Sequence, residues 1–129
     1  IIKAAAVADY RPCNVADEKI KKKEGDVMSI PLERTDDILK VSRRAQGTPS
    51  VLCGFSMETQ NMLENSKKKL MKKNLDMIVA NNLKEQGAGF ETDTNIVTMI
   101  TQNEVFELEL MSKEEVAFHL LDKILELRK

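Results

Sequence analysis

The stretch AAAVADYRPCNVADEKIKKK, residues 4–23, decides how the rest of this chain is interpreted. It begins with small apolar residues, passes through a turn from Asp9 to Pro12, and ends in a lysine cluster, Lys19 and Lys21 to Lys23. Alanine side chains allow a ligand or a neighbouring backbone to approach the main chain closely. The proline ends the predicted strand because it lacks the N–H that a sheet ladder needs. The aspartate therefore follows a strand, which is the usual place for chemistry in an open α/β sheet.

The lysine cluster has two interpretations. Positive side chains this close together repel each other unless anions are near, and phosphates are the anions that proteins most often bind. A solvated basic loop is the plainer interpretation, and the charge run alone favours it.

The length and composition describe one globular domain. With 129 residues, 42% hydrophobic and 32% charged, the chain has the composition of a folded protein, and we expect a single domain over residues 1–129. No apolar run approaches the length of a membrane span, so we expect a cytoplasmic protein with no membrane partner. The sequence begins at Ile1, without an initiator Met and inside a predicted strand. We therefore expect that a preceding segment is missing.

The charge balance and the rare residue types exclude several classes of function. Lys and Arg number 20 against 21 for Asp and Glu, and aromatic residues make up 4% of the chain, which argues against nucleic-acid binding. Cys13 and Cys53 are isolated and have neither metal-ligand nor disulfide spacing. His119, the one histidine, lies off the apolar stripe of its predicted helix. Neither a catalytic histidine nor a zinc site is expected.

Hydrophobic patterning predicts alternating strands and helices. Ile1 to Ala8 is apolar apart from Lys3, which is typical of a parallel strand buried on both faces. Two more apolar runs, Ser50 to Phe55 and Leu75 to Ala80, predict further buried strands, with a helix between them over Asn61 to Lys73.

Turn and cap residues place the remaining elements. Lys19 to Lys23 and Val27 to Leu32 flank a turn at Gly25 and predict a lysine-bearing hairpin or flap. Three further elements are expected: a helix capped by Thr35 or an aspartate and ending before Gly47-Thr48-Pro49, a hairpin of Asn95 to Thr101 with Val105 to Met111, and a final helix that opens with the capping box of Ser112 and Glu115.

The order of these elements predicts the α/β class. We expect a layered, mainly parallel sheet of the Rossmann-like or ribokinase-like type, with an edge β-hairpin and a lysine-bearing flap. The loops after Ala8, Phe55 and Ala80 follow the carboxyl ends of predicted strands. They should converge on one edge of the sheet.

Six motifs, read together, resemble a known family. AAVADYRP (residues 5–12) and KIKK (19–22) are followed in order by TDDIL (35–39), GFSMET (54–59), KNLDMIVANN (73–82) and GFETDTN (89–95). This series is similar to the nucleotide-dependent phosphopantothenate–cysteine ligase family, the phosphopantothenoylcysteine synthetase of coenzyme A biosynthesis. It resembles the C-terminal part of the synthetase domain in the bifunctional decarboxylase/synthetase type.

The resemblance implies a two-step ligation. 4′-Phosphopantothenate and cysteine would be joined using CTP through an acyl-cytidylate intermediate, giving CMP and pyrophosphate; other members of the family use ATP. The implied cofactor is Mg²⁺, and FMN is expected only in a fused decarboxylase domain that these residues do not include. The implied assembly is a homodimer formed through edge strands.

The resemblance also implies roles for individual residues. Lys19 matches the first lysine of the family's K-x-K-K loop and is expected to act as the catalytic group on the triphosphate. Asp9 is expected to hold the cation or a ribose hydroxyl. The remaining nucleotide-binding residues would be Lys3, Ala4, Ala5, Asp36, Asp37, Ile38, Leu39, Phe55, Lys69 and Lys73. Without the resemblance, plainer roles are preferred: Phe55 in the core, Asp36 as a helix cap and the alanines as packing. Lys67, Lys68 and Lys72 on the same helix as Lys69 are expected to form a solvated surface.

The sequence departs from the family pattern in one respect. The family's Gly-rich phosphate loop and the asparagine used in its acyl-intermediate step have no counterpart in these residues. A second interpretation therefore stays open: a catalytically silent nucleotide-binding or dimerisation domain of the same fold.

Overall fold

The computed structural model describes residues 1–21, 25, 27–45, 51–58, 60–82 and 93–128. Its elements, in chain order, are β1 (Ile2–Lys3), β2 (Tyr10–Pro12), β3 (Leu32–Arg34), α1 (Ile38–Ala45), β4 (Cys53–Glu58), α2 (Met62–Lys72), β5 (Met77–Asn82), β6 (Thr94–Asn95), β7 (Val97–Thr101), β8 (Val105–Glu107), β9 (Met111–Ser112) and α3 (Lys113–Leu127). They fall into two compact units, which we call the sheet unit (Ile1–Ala4 and Leu39–Lys129) and the hairpin unit (Ala5–Ile38). The expectation of a single domain over residues 1–129 stays a prediction.

The sheet unit is organised around a sheet with the strand order β1-β4-β5-β7-β8 in the described part of the chain. The strands β1, β4 and β5 pair in parallel, while β7 is antiparallel to both β5 and β8. All five strands of this sheet except β7 therefore run in one direction. This confirms the α/β class and the mainly parallel sheet.

The core lies on both faces of this sheet. Side chains of successive residues in β5 alternate between the faces, as strand geometry requires. Met77 and Val79 pack in one apolar cluster with Val116 and Leu120 of α3. The other cluster combines Ile78 and Ala80 with Leu70 of α2 and with Leu39 of α1. Helices therefore cover both faces, which explains why β5 reads as a continuous apolar run.

Gly54 in β4 has a packing reason to be glycine. A Cβ atom at this position would lie 3.1 Å from Leu75 Cδ1 and 3.2 Å from Leu39 Cδ1. Both leucines pack in the core. The absence of a side chain at Gly54 therefore allows Leu39 of α1 to pack closely on β4.

The predicted edge hairpin and the capping box are both confirmed. Strand β8 is the last strand in the sheet order and pairs with β7. At the start of α3, Ser112 Oγ accepts a hydrogen bond from Glu115 N at 3.2 Å, and Ser112 N donates to Glu115 Oε2 at 2.9 Å. Lys123 Nζ lies 3.9 Å from the centre of the Phe106 ring, so a cation–π contact ties α3 to the hairpin.

The prediction of a buried strand over Ile1 to Ala8 was wrong. The strand covers only Ile2–Lys3, and Ile1, Ile2 and Val7 are exposed. In the described part of the chain β1 is the end strand of the sheet, paired with β4. Apolar composition alone does not distinguish such an edge strand from a central one.

The predicted pairing of Lys19 to Lys23 with Val27 to Leu32 was wrong for the described residues, because neither residues 19–21 nor residues 27–31 lie in a strand. The paired strands of the hairpin unit are β2 and β3, with Arg11 opposite Glu33 and Pro12 opposite Leu32. Lys19 and Lys21 therefore lie in the connection between these strands. Some residues named in the sequence predictions lie outside the described residues: Lys22, Lys23, Gly47 to Ser50, Thr59 and residues 83–92.

The hairpin unit has no buried residue among those that the structure describes. All of its described residues are exposed except Thr35, which is half-buried. Backbone hydrogen bonds hold it together, including Cys13 N to Pro31 O at 3.0 Å. Arg11 Nε donates to Glu33 Oε1 at 2.8 Å across the strands.

Neither unit contains, among its described residues, a helix long and apolar enough to cross a bilayer.

Candidate functional site

Polar residues gather where the parallel strands of the sheet unit end. Strand β4 ends at Glu58, and β5 ends at Asn82, which is its register partner. Strand β7 begins at Val97 opposite Asn81, so its first residue lies at the same edge. Asn95, just before β7, donates from Nδ2 to Asn81 Oδ1 at 3.3 Å. The carboxyl ends of parallel strands are the usual place for ligands in open α/β sheets.

The best-defined group at this edge is an ion pair between Glu58 and Lys69. Lys69 Nζ donates to Glu58 Oε1 at 2.6 Å, and Asn65 Nδ2 lies 3.4 Å from Glu58 Oε2. The same amide also donates to Gln60 O at 3.0 Å. The side chain of Glu58 is 12% exposed and that of Lys69 is 46% exposed. The carboxylate is therefore largely enclosed, while its ammonium partner remains half open to solvent.

Sequence spacing explains why this pair forms. Ser56 and Glu58 are two residues apart in β4, so their side chains leave the sheet on the same face. Ser56 and Ser66 share a hydroxyl–hydroxyl hydrogen bond of 2.8 Å, which fixes α2 over that face. Lys69 follows Ser66 by about one helical turn, and helix side chains tilt toward the helix N-terminus. The ammonium of Lys69 is therefore directed back toward the end of β4.

The other lysines of α2 take different positions. Lys67, Lys68 and Lys72 are exposed, and Lys68 pairs with Glu64 at 2.7 Å, which confirms the prediction that these lysines form a solvated surface. The hydrogen bond from Lys68 lowers the pKa of Glu64. Lys73 is half-buried at the end of α2, where its N–H donates to Lys69 O at 3.0 Å.

Of the other predicted nucleotide residues of the sheet unit, Leu39 and Phe55 have packing roles. Lys3 is half-buried and lies opposite Gly54, and Ala4 follows it in an exposed position. Leu39 packs against the apolar cluster on the α2 face, whereas Phe55 packs against the cluster on the α3 face. Phe55 and Lys69 therefore lie on opposite faces of the sheet. One ligand would contact both only by lying across the carboxyl edge.

The predicted site residues of the hairpin unit are exposed. Two of its segments come together, because Asp9 O accepts a hydrogen bond from Thr35 N at 3.0 Å. Thr35 Oγ1 also donates to Ala8 O at 2.6 Å, so its hydroxyl stabilises this contact. Asp37 lies directly before Ile38, the first residue of α1. The exposed residues are Ala5, Asp9, Lys19, Asp36, Asp37 and Ile38.

The described residues offer few side chains that could bind a metal ion together. No three His, Cys, Asp or Glu side chains in the described ranges form a group that could hold a metal ion. Mg²⁺ at phosphate-transfer sites needs only one or two protein carboxylates, since water and substrate phosphates supply the other ligands. The exposed carboxylate of Asp9 suits such a role, because it is accessible to a bound metal–phosphate group.

Two further groups have perturbed pKa values. Burial raises the pKa of the Cys53 thiol to about 12, so this residue is protonated at neutral pH and is excluded as a nucleophile. In the hairpin unit, the hydrogen bond to the Tyr10 hydroxyl raises the pKa of Arg34, and the Asp9 charge adds a smaller contribution.

Comparison with protein families identifies the chain. Residues 1–127 match the family model of the DNA/pantothenate metabolism flavoprotein C-terminal domain. The chain belongs to this family. The resemblance stated from the sequence motifs is thereby confirmed at the level of the family.

Curated relatives of this flavoprotein C-terminal domain agree with that assignment. The Coenzyme A biosynthesis bifunctional protein CoaBC of Bacillus subtilis (strain 168) is 47% identical over 130 residues, covering 100% of this chain and 32% of that protein. A Cysteine/Cysteine sulfinic acid decarboxylase of an unknown prokaryotic organism is 44% identical, covering 98% of this chain and 35% of that protein. The chain thus spans about a third of the length of these relatives.

Solved structures of the DNA/pantothenate metabolism flavoprotein family show the same fold. A crystal structure of the C-terminal domain of a CoaBC protein is 46% identical, has a TM-score of 0.72, and covers 98% of this chain and 55% of that one. A flavoprotein of this name from Streptococcus pneumoniae shares the fold at a TM-score of 0.67 and 24% identity, with 82% of this chain and 45% of that chain covered.

Sequence reasoning about this family member missed Glu58 and Asn65. Both lie beside residues that were singled out, Glu58 within GFSMET and Asn65 on the helix that carries Lys69. The sequence did contain a signal for Glu58. It follows a buried strand and precedes a helix rich in lysines, and a partly buried carboxylate without a cationic partner costs free energy.

Proposed function

We propose that this chain provides the nucleotide-binding and catalytic residues of a phosphopantothenate–cysteine ligase of coenzyme A biosynthesis that uses CTP. The observation that supports this most directly is the half-exposed cation of Lys69, held at the carboxyl edge of the parallel strands in a chain whose family match covers residues 1–127. A site of this kind suits a ligand with several negative charges, such as a nucleoside triphosphate.

The proposed reaction has two substitution steps. A carboxylate oxygen of 4′-phosphopantothenate attacks the α-phosphate of CTP, so that a C–O–P bond forms and pyrophosphate leaves. The amine of cysteine then attacks the acyl carbon, an amide bond forms, the amine loses a proton, and CMP leaves. The first step brings two anions together, and fixed positive charge lowers the cost of that approach.

Individual residues have distinct proposed roles. Lys19 neutralises charge on the triphosphate as pyrophosphate leaves, and Lys69 and Lys73 bind the nucleotide's phosphates. Asp9 would hold Mg²⁺, which supplies further neutralisation of the phosphates when bound. The other proposed nucleotide contacts are those of Lys3, Ala4, Ala5, Asp36, Asp37, Ile38, Leu39 and Phe55.

The family resemblance supports the rest of the proposal. The protein would act in the cytoplasm as a homodimer, and β8, the last strand of the sheet in the described part of the chain, gives one edge for strand pairing. FMN would bind to a fused decarboxylase domain and not to these residues. Nucleic acid is not among the proposed partners.

The experiment compares wild type with Lys19→Gln in the protein as its gene encodes it. Calorimetric titration with CTP and with ATP, each with Mg²⁺, measures binding, and pyrophosphate release measures turnover. We expect the variant to lose roughly 100- to 1,000-fold in kcat/KM, the usual effect of removing one group that stabilises transition-state charge. Lys67→Gln, which changes an exposed lysine of α2, is the matched control and should leave kcat/KM unchanged.

Two results would contradict this proposal. Equal turnover in Lys19→Gln and Lys67→Gln would remove Lys19 from the mechanism. Nucleotide binding without any pyrophosphate release in wild type would favour the catalytically silent domain. A preference for ATP in the titrations would change the nucleotide and leave the reaction class in place.

A further inference from the structure

The ion pair between Glu58 and Lys69 differs from the neighbouring pair on the same helix. Lys68 and Glu64 are joined at 2.7 Å, but their side chains are 70% and 64% exposed. Lys69 and Glu58 are joined at 2.6 Å, with only 12% of the glutamate side chain exposed. An exposed pair of the first kind has little effect on where its lysine lies, because water competes for both charges. The enclosed carboxylate of Glu58 gives Lys69 a fixed partner.

Three contacts limit the movement of the Glu58 carboxylate. Its backbone belongs to β4 and pairs in register with Asn82 of β5. One carboxylate oxygen accepts from Lys69, and the other lies near the Asn65 amide, which is itself held by Gln60 O at 3.0 Å. The strand, Asn65 near the start of α2 and the backbone carbonyl of Gln60 therefore fix one position for the negative charge.

The Lys69 ammonium retains capacity to bind a second anion. An ammonium has three N–H donors, and one of them is directed at Glu58 Oε1. The side chain is 46% exposed at the carboxyl edge of the sheet. A phosphate oxygen at that edge can accept a hydrogen bond from one of the other N–H groups while the pair with Glu58 stays intact.

We propose that Glu58 is a positioning residue that holds Lys69 ready for a phosphate group of the nucleotide. A free lysine side chain loses rotamer freedom when it binds a ligand, and this loss lowers affinity by roughly 10-fold. The pair with Glu58 imposes that loss during folding, before the ligand arrives. This inference rests on the proposed function, because it takes the nucleotide as the ligand of Lys69.

Glu58 could have the opposite role, that of competing with the nucleotide for Lys69, and this role predicts the opposite effect on nucleotide affinity. If Glu58 competed with the nucleotide for Lys69, removing its charge would raise nucleotide affinity. The geometry favours positioning, because the carboxylate is held by the strand and by Asn65 and need not leave for a second anion to bind.

The test uses Glu58→Gln, Lys69→Met and the double variant, with Glu64→Gln as the matched control, in the protein as its gene encodes it. We measure kcat, the KM for CTP, 4′-phosphopantothenate and cysteine, and the Kd for CTP by calorimetry. Glu58→Gln should raise the KM and Kd for CTP by roughly 10-fold, with kcat and the other KM values within about 2-fold of wild type. Glu64→Gln should match wild type. In the Lys69→Met background, Glu58→Gln should add no further change, because it acts only through Lys69.

Several outcomes would overturn the inference. These are tighter CTP binding in Glu58→Gln, an equal loss in the Lys69→Met background, or a CTP affinity that does not respond to Lys69→Met. In the last case, ligation by wild type would leave the proposed function intact. A wild type that binds CTP without ligation would contradict the proposed function, while the calorimetric series would still decide the role of Glu58.

A more conservative variant covers the case in which Glu58→Gln folds poorly. Glu58→Asp keeps the charge but draws the carboxylate back toward β4, so the Lys69 ammonium loses its fixed position. It should raise the KM for CTP by a smaller factor than Glu58→Gln. Unchanged KM in Glu58→Asp together with a normal melting temperature would contradict positioning.

Discussion

The sheet unit and the hairpin unit are stabilised in different ways. In the sheet unit, apolar side chains of β4, β5 and β7 pack in two clusters that α2 and α3 cover. The described residues of the hairpin unit are exposed apart from the half-buried Thr35, and apolar residues such as Val15 and Val27 face solvent. Backbone pairing between β2 and β3 and a few polar contacts give that unit its structure.

This difference suggests that the sheet unit provides most of the stability, while the hairpin unit carries residues with proposed catalytic roles. Apolar burial is the dominant favourable contribution to folding, so the sheet unit should account for most of the free energy of unfolding. Lys19 and Asp9, with the largest proposed catalytic roles, lie in the unit that has no buried residue among those described. Changes to the hairpin unit should therefore affect activity more than stability, and changes to the sheet core should do the reverse.

The two cysteines give the largest expected contrast between the units. Cys13 is exposed in the hairpin unit, whereas Cys53 is 0% exposed in the sheet and its pKa is raised to about 12. At neutral pH, a thiol reagent should modify Cys13 on the order of 1,000-fold faster than Cys53, because Cys53 must first be exposed by an opening of the structure. Mass spectrometry of single-cysteine variants measures both rates. Equal rates in the folded protein would contradict the burial of Cys53, and equal rates in denaturant are the control.

Two leucines give the next largest contrast. Leu75 is fully buried in the apolar cluster on the α2 face, and Leu32 of β3 is 56% exposed. Leu75→Ala should lower the free energy of unfolding by about 2–5 kcal/mol, because it leaves a cavity in the core. Leu32→Ala, as the matched control, should change it by less than about 0.5 kcal/mol. Urea unfolding at neutral pH measures both, and similar losses would show that the hairpin unit contributes to stability as the sheet does.

Polar contacts give the smallest expected difference. Ser112→Ala removes the N-cap of α3 and should lower the free energy of unfolding by about 1 kcal/mol at pH 7. Arg11→Ala removes an exposed ion pair of the hairpin unit and should have a smaller effect still. An Arg11→Ala loss equal to that of Ser112→Ala would contradict this ranking.

The cap also gives a pH dependence with a defined sign. Hydrogen bonds from Ser112, first from its hydroxyl and then from its backbone N–H, lower the pKa of Glu115 from its ordinary 4.5. A carboxyl whose folded pKa is lowered stabilises the protein at pH values above its unfolded pKa. That contribution is lost as the pH falls through the folded pKa. The difference between wild type and Ser112→Ala should therefore shrink as the pH falls below the ordinary Glu115 pKa of 4.5, in a series of unfolding measurements.

Local sequence signals predicted the parts of the fold that depend on neighbours along the chain. The capping box at Ser112, the edge hairpin and helix α2 were predicted within a few residues of their observed bounds. The strand predicted to start at Ser50 instead covers Cys53–Glu58, because strand ends depend on which residues find a partner in the sheet. Glu58 is therefore the last residue of the strand, where the prediction had a loop after Phe55.

Prediction of the candidate site was limited in the same way, because its contacts join residues that are distant along the chain. Motif matching picked out Lys69, but its spacing could not show that Glu58, 11 residues away along the chain, is its partner. Apolar composition suggested that Ile1 to Ala8 forms a buried strand, whereas β1 is short and Ile2 is exposed. In both cases the missing information was the identity of a non-local neighbour.

The sequence by itself determined the α/β class, the family and the residue types available at the carboxyl edge. These depend on hydrophobic periodicity and on residues close together in the chain, which a linear pattern records. Only the tertiary structure decided that Phe55 and Lys69 lie on opposite faces of the sheet, that α1 packs over Gly54, and that Lys69 is held by an enclosed carboxylate. Strand pairing and helix packing bring distant residues within hydrogen-bond range, and those contacts fix where a charge points.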